Sequence, residues 1–355
     1  MRPLRGTAIL AALVAVSVFA SGCGGGTTTA TGLTAPCTKA PFKVGLVTDV
    51  GSLSDKSFNY DSFNGVLDAQ ADTSLGVVGK AIESHVEADY SKNIQTFVDQ
   101  KYCMIVTVGF KLGDATIKAA KANPNVAFAM VDFADFGDLG KPSHPGNLLG
   151  LQFSEDQPGF LVGALAGLMT KSNVVGSVAG VNLPPVVRYV KGYENGAKFT
   201  NPAVKVLNIY QPESGAKDFL DPDWGKAQAV TFMGQGADII FGVGGTTGNG
   251  ALLGAKEAGK MCIGVDIDQY ISYPDVDSCL ITSAQIGLRQ SVKAAIITMV
   301  KGQWSSGLAI GNLQNDGVTI APYHDWDSKI PASVKARIVD IKAKLKDGTL
   351  KTGVS

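Results

Sequence analysis

The segment "TDVGSLSDKSFNYDSFNGVLDAQ", residues 48–70, gathers Asp49, Asp55, Lys56, Asn59 and Asp61 around two rings, Phe58 and Phe63. Further acids stand at Asp132 and Asp266, and a glycine-rich run, "GVGGTTGNG", fills 242–250. Carboxylates in such company can do acid–base work, hold a hydroxylated ligand, or cap a helix. Acid–base catalysis needs two groups whose pKa values are driven apart, and Asp49, Asp132 and Asp266 have no evident partner for that. No G-x-x-x-x-G-K-[ST] phosphate loop, G-x-S-x-G elbow or H-E-x-x-H pair occurs in the chain. His85, His144 and His324 are too scattered to build a zinc site by themselves. A role without catalysis, cofactor or metal is the expectation, with carboxylate hydrolysis as the alternative.

The glycine run imitates a dinucleotide fingerprint, because it follows the strand-like "DIIFGV", opens a helix, and has an acid, Asp266, about twenty residues on. Counted from Gly242, however, Thr247 occupies the place of the last glycine. What survives is backbone, notably at Gly245, able to approach a ligand closely with N–H groups at a helix start. Asp266 can accept hydrogen bonds from a sugar diol. Phe58, and Phe219 in "KDFLDPDWGK", offer rings that could sandwich a flat base, each stacking contact contributing roughly 1–3 kcal/mol. Asn59 brings a donor and an acceptor and Asp132 an acceptor, which suits the mixed edge of a purine.

Plainer roles compete with each of these. Either phenylalanine could pack in a core, and Asp49 or Asp266 could cap a helix. Asp55 reads as a helix cap and Lys56 as a solvated helix-start residue. Asp61 and Asp68 read as solvent-face or first-turn charges that complement the helix dipole.

The elements that must position these residues alternate regularly. Strand-like runs are "FKVGLVTDV", "MIVTVG", "VAFAMVD", "NLLGLQF", "VVGSVAGV", "VKVLNIY", "DIIFGVGG", "CIGVDID" and "CLITSAQ". Helical periodicity lies between them over 58–72, 90–100, 112–123, 159–170, 186–201, 226–235, 251–258 and 288–301. Nearly continuous apolar strands imply parallel sheets covered on both faces. The expectation is an α/β fold of two doubly wound, Rossmann-like lobes with a ligand cleft between them; a single eight-stranded barrel is the alternative topology. In such sheets polar chemistry collects beyond the carboxyl ends of the strands. Asp49, Gly109-Phe110, Asp132, Gly244-Gly245 and Asp266 all fall there, so the cleft is expected to enclose a small polar ligand.

A chain of 355 residues, with 45% hydrophobic and only 17% charged residues, suits two such units. Lys+Arg and Asp+Glu balance at 31 each, which argues against a nucleic-acid or anionic-membrane footprint. The amino end reads as a targeting segment: Arg2 and Arg5 precede an apolar run over 9–20 that is short for a membrane span. "FASGC" then resembles the lipobox of bacterial lipoproteins, with Ala20 where Leu is usual. This makes 1–22 a signal peptide and Cys23 the acylated first residue; a plain secretory signal is the alternative. The Gly/Thr-rich stretch to residue 40 reads as a flexible linker. Acylation would place the protein at the outer face of a bacterial cell membrane.

Four cysteines remain, and three pairings are possible. Cys37 and Cys103 each precede a strand-like run, as do Cys262 and Cys279. If the strands of each set are parallel neighbours, Cys37–Cys103 and Cys262–Cys279 meet at one end of a sheet; buried free thiols are the alternative.

Taken in order, "TDVGSLSDKSFNYDSFNGV", "VGF" followed by "DATIKAAKANPNVAFAMVD", "EDQPGFLVGALAGLMTK", "GADIIFGVGGTTGNGALLGAKEAG" and "IGVDIDQ" resemble the basic-membrane-protein family of substrate-binding lipoproteins. These are the purine-nucleoside-receptor-like binding proteins of ABC importers. The resemblance covers roughly residues 42–320, and "DKSFN" with "GVD-x-DQ" is its strongest part. It implies a type I periplasmic-binding-protein fold with lobe 1 formed by 41–152 plus about 283–312, and lobe 2 by 153–282 plus about 313–355. It also implies a monomer that closes over a nucleoside and delivers it to an ABC permease. By position, Asn59 and Asp132 would read the base, Phe58 and Phe219 would stack on it, and Gly245 and Asp266 would hold the ribose, with Asp49 at the cleft wall. The family carries a Lys near the ribose where this chain has Gln285, which brings no charge; a modified nucleoside or a sugar- or autoinducer-like solute is the alternative ligand.

Overall fold

The computed structural model describes residues 37, 39–133 and 145–354, so the leader, Cys23, most of the linker and His144 lie outside the described residues. The chain alternates strands and helices throughout. The first half holds β1 (Phe42–Val50), α1 (Phe58–Ala71), β2 (Val77–Ser84), α2 (Tyr90–Asp99), β3 (Met104–Val108), α3 (Gly113–Ala122), β4 (Ala127–Val131) and β5 (Leu148–Phe153). Next come α4 (Asp156–Met169), β6 (Val174–Ala179), α5 (Pro184–Thr200), β7 (Lys205–Tyr210), α6 (Pro222–Gly234), β8 (Ile239–Val243), α7 (Gly245–Glu257), β9 (Met261–Asp266) and α8 (Gln269–Ser272). The chain closes with β10 (Leu280–Ile286), α9 (Leu288–Val300), β11 (Gly307–Gly311), β12 (Val318–Ile320) and α10 (Ala332–Lys346).

These strands build two separate six-stranded sheets, in orders β11-β5-β4-β3-β1-β2 and β12-β10-β9-β8-β6-β7. Two open sheets exclude the barrel topology. Every pairing is parallel except β10 with β12, which run antiparallel with Gln285 opposite Thr319. Strands β3, β4 and β8 are buried at every residue, as helices on both faces require. The edge strand β2 instead mixes exposed and buried positions, so its sequence does not read as a continuous apolar run.

The chain passes between the sheets between β5 and α4, again between β10 and α9, and a third time between β11 and β12. The second crossing falls at Gly287 rather than at about 283, because β10 stays in register with β9 as far as Gln285 and with β12 as far as Ile286. Helix α9 then returns to the first sheet, where a Cβ on Gly65 of α1 would lie 2.6 Å from the Arg289 carbonyl.

Helices α4 and α5 pack at backbone contact. A Cβ on Gly163 would come within 2.0 Å of the Tyr193 carbonyl, and one on Gly196 within 2.0 Å of the Phe160 carbonyl. This close approach is what brings the start of α5 against the segment leaving β5. The fold also carries two disulfides, Cys37–Cys103 and Cys262–Cys279, with Cα–Cα separations of 5.5 and 5.1 Å.

Candidate functional site

The carboxyl ends of both sheets face one cavity lined by Asp49, Phe58, Asn59, Asp132, Phe219, Gly245 and Asp266. Asp55 organises the lobe 1 wall. Its buried carboxylate accepts hydrogen bonds from the Ser57, Asn59 and Tyr60 amides at 2.8–3.1 Å, as well as from Asn59 Nδ2 at 3.2 Å. It therefore caps α1 and, by holding the amide nitrogen, turns Asn59 so that its Oδ1 is left without a protein partner. Asp49 fits against Gly109, where any Cβ would sit 2.0 Å from Asp49 Oδ2 and where φ is +115°. Asp132 and Asp266, at the ends of β4 and β9, adopt left-handed φ values of 60° and 66°. Such conformations cost energy in non-glycine residues and concentrate at functional sites.

The lobe 2 wall is built around Phe219, itself left-handed at φ 62°. Its carbonyl accepts from the Thr247 amide at 3.1 Å and from Thr246 Oγ1 at 3.1 Å, and Gln211 Oε1 accepts from its amide. Cβ atoms on Gly180 and Gly244 would lie 2.2 and 3.0 Å from its ring, and one on Gly245 would lie 2.7 Å from its carbonyl. Gly244 and Gly245 of "GVGGTTGNG" thus help seat an aromatic side chain while also lining the cavity.

Gln285 and Asp61 depart from the sequence-based reading, whereas Lys56 is solvated as expected. Gln285 does not line the cavity; strand alternation turns it into a separate groove with Gln290, Asn315 and Thr319, while its neighbour Ile286 reaches the cleft. Asp61 is not on the solvent face: it is buried where α1 meets α9, beside the Arg289 amide, and burial pushes its carboxyl up to about 6. Asp68 pairs with Arg289 at 2.6 Å. Lys56 is exposed, and its carbonyl accepts from Ser272 Oγ of the opposite lobe at 2.7 Å.

Cavity residues that sequence reasoning passed over include Glu155 and Tyr189, whereas Phe110 lines the cavity at the strand end expected to face it. Glu155 follows β5 at the first crossing, is 1% exposed, and is held by Arg188 Nε at one oxygen only. Tyr189 donates to Asp266 Oδ1 at 3.3 Å, and Ser57 of lobe 1 donates to Asp266 Oδ2 at 2.6 Å.

Besides the capping Asp55, four carboxyl groups share this desolvated space. Burial raises Asp49 to about 8, against the pull of Lys111, and raises Asp266 to about 7, against the donors Ser57 and Tyr189. Burial raises Glu155 to about 7, against Arg188. Asp132 is pushed well up by burial and then by the Glu155 charge. Buried oxygens of Asn59 (Oδ1), Asp132 (Oδ1) and Glu155 (Oε1) have no donor among the described residues. The arrangement is suited to taking hydrogen-bond donors from a flat, neutral molecule between two rings.

The lobes are closed on one another. Besides Ser57–Asp266 and Lys56–Ser272, Asn249 Nδ2 donates to the Asp55 carbonyl at 2.7 Å. Lys111, 8% exposed at its side chain, bridges Glu87 of lobe 1 at 3.3 Å to Asp218 of lobe 2 at 2.8 Å and to Glu213.

Known proteins give this geometry a context. Residues 42–348 match the family described as ABC transporter substrate-binding protein PnrA-like. A CD4+ T-cell-stimulating antigen of Listeria monocytogenes is 32% identical, with 87% of each chain covered. An ABC transporter nucleoside-binding protein, BmpA, of Lactococcus lactis is 29% identical over 88% of this chain and 89% of its own. Among solved structures, an ABC transporter solute-binding protein from Aeropyrum pernix shares the fold at a TM-score of 0.77 and 24% identity, over 88% of this chain and 93% of that one. With two doubly wound lobes of the type I periplasmic-binding-protein kind and a family match across nearly all of its folded length, this chain belongs to the PnrA-like ABC transporter substrate-binding proteins.

Proposed function

We propose that the protein captures a purine nucleoside between its lobes and presents it to an ABC permease, without chemistry on the ligand. The observation that carries this is the pairing of Phe58 and Phe219, one ring from each lobe, on a cavity whose buried Asn59 and Asp132 oxygens have no protein donor. Two rings suit a planar base, and unsatisfied buried acceptors are costly unless a ligand supplies donors. Asp266, held by Ser57 and Tyr189, suits ribose hydroxyls. A nucleoside-binding relative of similar length supports the same ligand class. The mechanism is selection of the closed state by a ligand that touches both lobes at once. In this proposal Cys23 carries a lipid that holds a monomeric protein at the extracytoplasmic face of the membrane, with 23–40 as its tether.

Calorimetric titration of the full-length chain with purine and pyrimidine nucleosides, ribose and related sugars tests the reading. Micromolar or tighter binding of at least one purine nucleoside, returned chemically unchanged, is expected. Binding of ribose or another sugar with no purine nucleoside below millimolar would show the assignment to be wrong. Mass analysis of the membrane-extracted protein, expected to show a diacylated Cys23, tests the anchor.

A further inference from the structure

Resting on the nucleoside reading, we propose that Glu155 is a specificity-determining ligand contact, oriented by Arg188, and that with Asp132 and Asn59 it selects a base rich in N–H donors. Three observations carry this. Glu155 lines the cavity with 1% of its surface exposed. Arg188 occupies only its Oε2, leaving Oε1 buried with no donor among the described residues. The same condition recurs at Asp132 Oδ1 and Asn59 Oδ1, both in residues of the same cavity wall.

A buried ion pair needs its remaining lone pairs satisfied if it is not to cost stability, and Arg188 satisfies only half of this carboxylate. Three acceptor oxygens in residues that line one cavity set the number of donors that a well-matched ligand edge should supply. A 2-amino-6-oxopurine offers an N1–H and two N2–H donors side by side. A 6-oxopurine without the amino group offers only N1–H, and a 6-aminopurine interrupts its donors with ring acceptors. The cavity is accordingly matched to guanosine over inosine and adenosine. Charge points the same way: the cavity-lining ionisable groups are carboxyls and the Tyr189 phenol, and the adjoining guanidinium of Arg188 is already engaged, so a nucleotide phosphate finds no cation among them.

Glu155→Gln is the informative change. Arg188 would retain the amide oxygen, so the amide nitrogen would face the ligand and present a donor to donors. Calorimetric titration of the full-length wild type with guanosine, inosine, adenosine and guanosine monophosphate is expected to show guanosine binding at least tenfold tighter than each of the others. In E155Q the guanosine affinity is expected to fall at least tenfold and the guanosine-to-inosine ratio to approach one. Should E155Q fail to fold, Glu155→Asp keeps the charge on Arg188 while drawing the free oxygen back from the ligand, and the same ratio is read. A wild type that binds guanosine and inosine alike, or a variant that keeps the wild-type ratio, overturns the role of Glu155 while leaving nucleoside binding intact. Failure of the wild type to bind any nucleoside removes both.

Discussion

Side chains that look like one acidic cluster around residues 49–68 turn out to do separate work. Asp55 lines the ligand space but is spent on the backbone of α1, Asp61 is spent on the contact with α9, and Asp49 and Asn59 face the ligand space. Phe58 lines that space and is only half-buried, packed against the edge of the core. Replacing Phe58 with Ala should weaken nucleoside binding at least tenfold by calorimetry while barely changing the unliganded melting temperature. The same change at Phe219, whose backbone and ring are seated on glycines, should cost both affinity and stability. The raised carboxyls add a pH dependence. A ligand that donates to Asp266 and Glu155 favours their ionised forms, so their pKa values fall from about 7 on binding and protons are released. Affinity should therefore rise with pH across roughly 6–8, and titrations in buffers of different ionisation enthalpy should report proton release near neutrality. In the unliganded protein the sign reverses: closure confines carboxyls that prefer to be protonated, so it is most favourable at acid pH and weakens as pH climbs through 7 to 8.

At the scale of elements, central strands announce themselves because both faces are covered, and their carboxyl ends place Asp49, Asp132 and Asp266 correctly at the cleft. The edge strand β2 and the short β11 and β12 lack that signal, since partial exposure breaks the apolar run. Helix α10 is similarly faint: only Ile338, Ile341 and Leu345 along it are buried. The glycine run reads as a turn with helix from Ala251, yet α7 begins at Gly245, because packing of small residues against Phe219 and α6 outweighs their weak helix propensity. Glu155 and Arg188 were illegible for a different reason. Their roles depend on the crossing of two helices, which no local pattern encodes. That crossing is tight enough to test: Gly163→Leu, placing bulk 2.0 Å from a carbonyl of α5, should cost at least about 1–3 kcal/mol, lowering the melting temperature by roughly 5–10 °C. It should also weaken guanosine binding through displaced Arg188 and Glu155, whereas Gly163→Ala should do so less.

For the whole molecule, the lobes meet through few polar contacts, and Lys111 is the most heavily engaged of them. Burial tends to lower its pKa, but hydrogen bonds to Asp218 and Glu213 outweigh that and raise it, so it stays charged in the closed state. The Asp218 side chain is fully buried there. Lys111→Met would leave that carboxylate buried without its cation, a loss on the order of 3–5 kcal/mol for such pairs, borne by the closed form alone. Small-angle scattering of the variant with nucleoside should show a larger radius of gyration than the wild type, and affinity should drop at least tenfold. Unchanged scattering and affinity would show that closure does not depend on this bridge.

The Cys37–Cys103 disulfide has a mechanical consequence. Cys103 sits at the amino end of β3, in the middle of the lobe 1 sheet and at the end away from the cleft. Tension on any residue before Cys37 is therefore handed to the interior of that sheet before it can reach α1 or either crossing near Glu155 and Gly287. Lobe 1 then serves as the anchored body and lobe 2 as the swinging arm, so a pull from the amino end leaves the opening and closing motion unloaded.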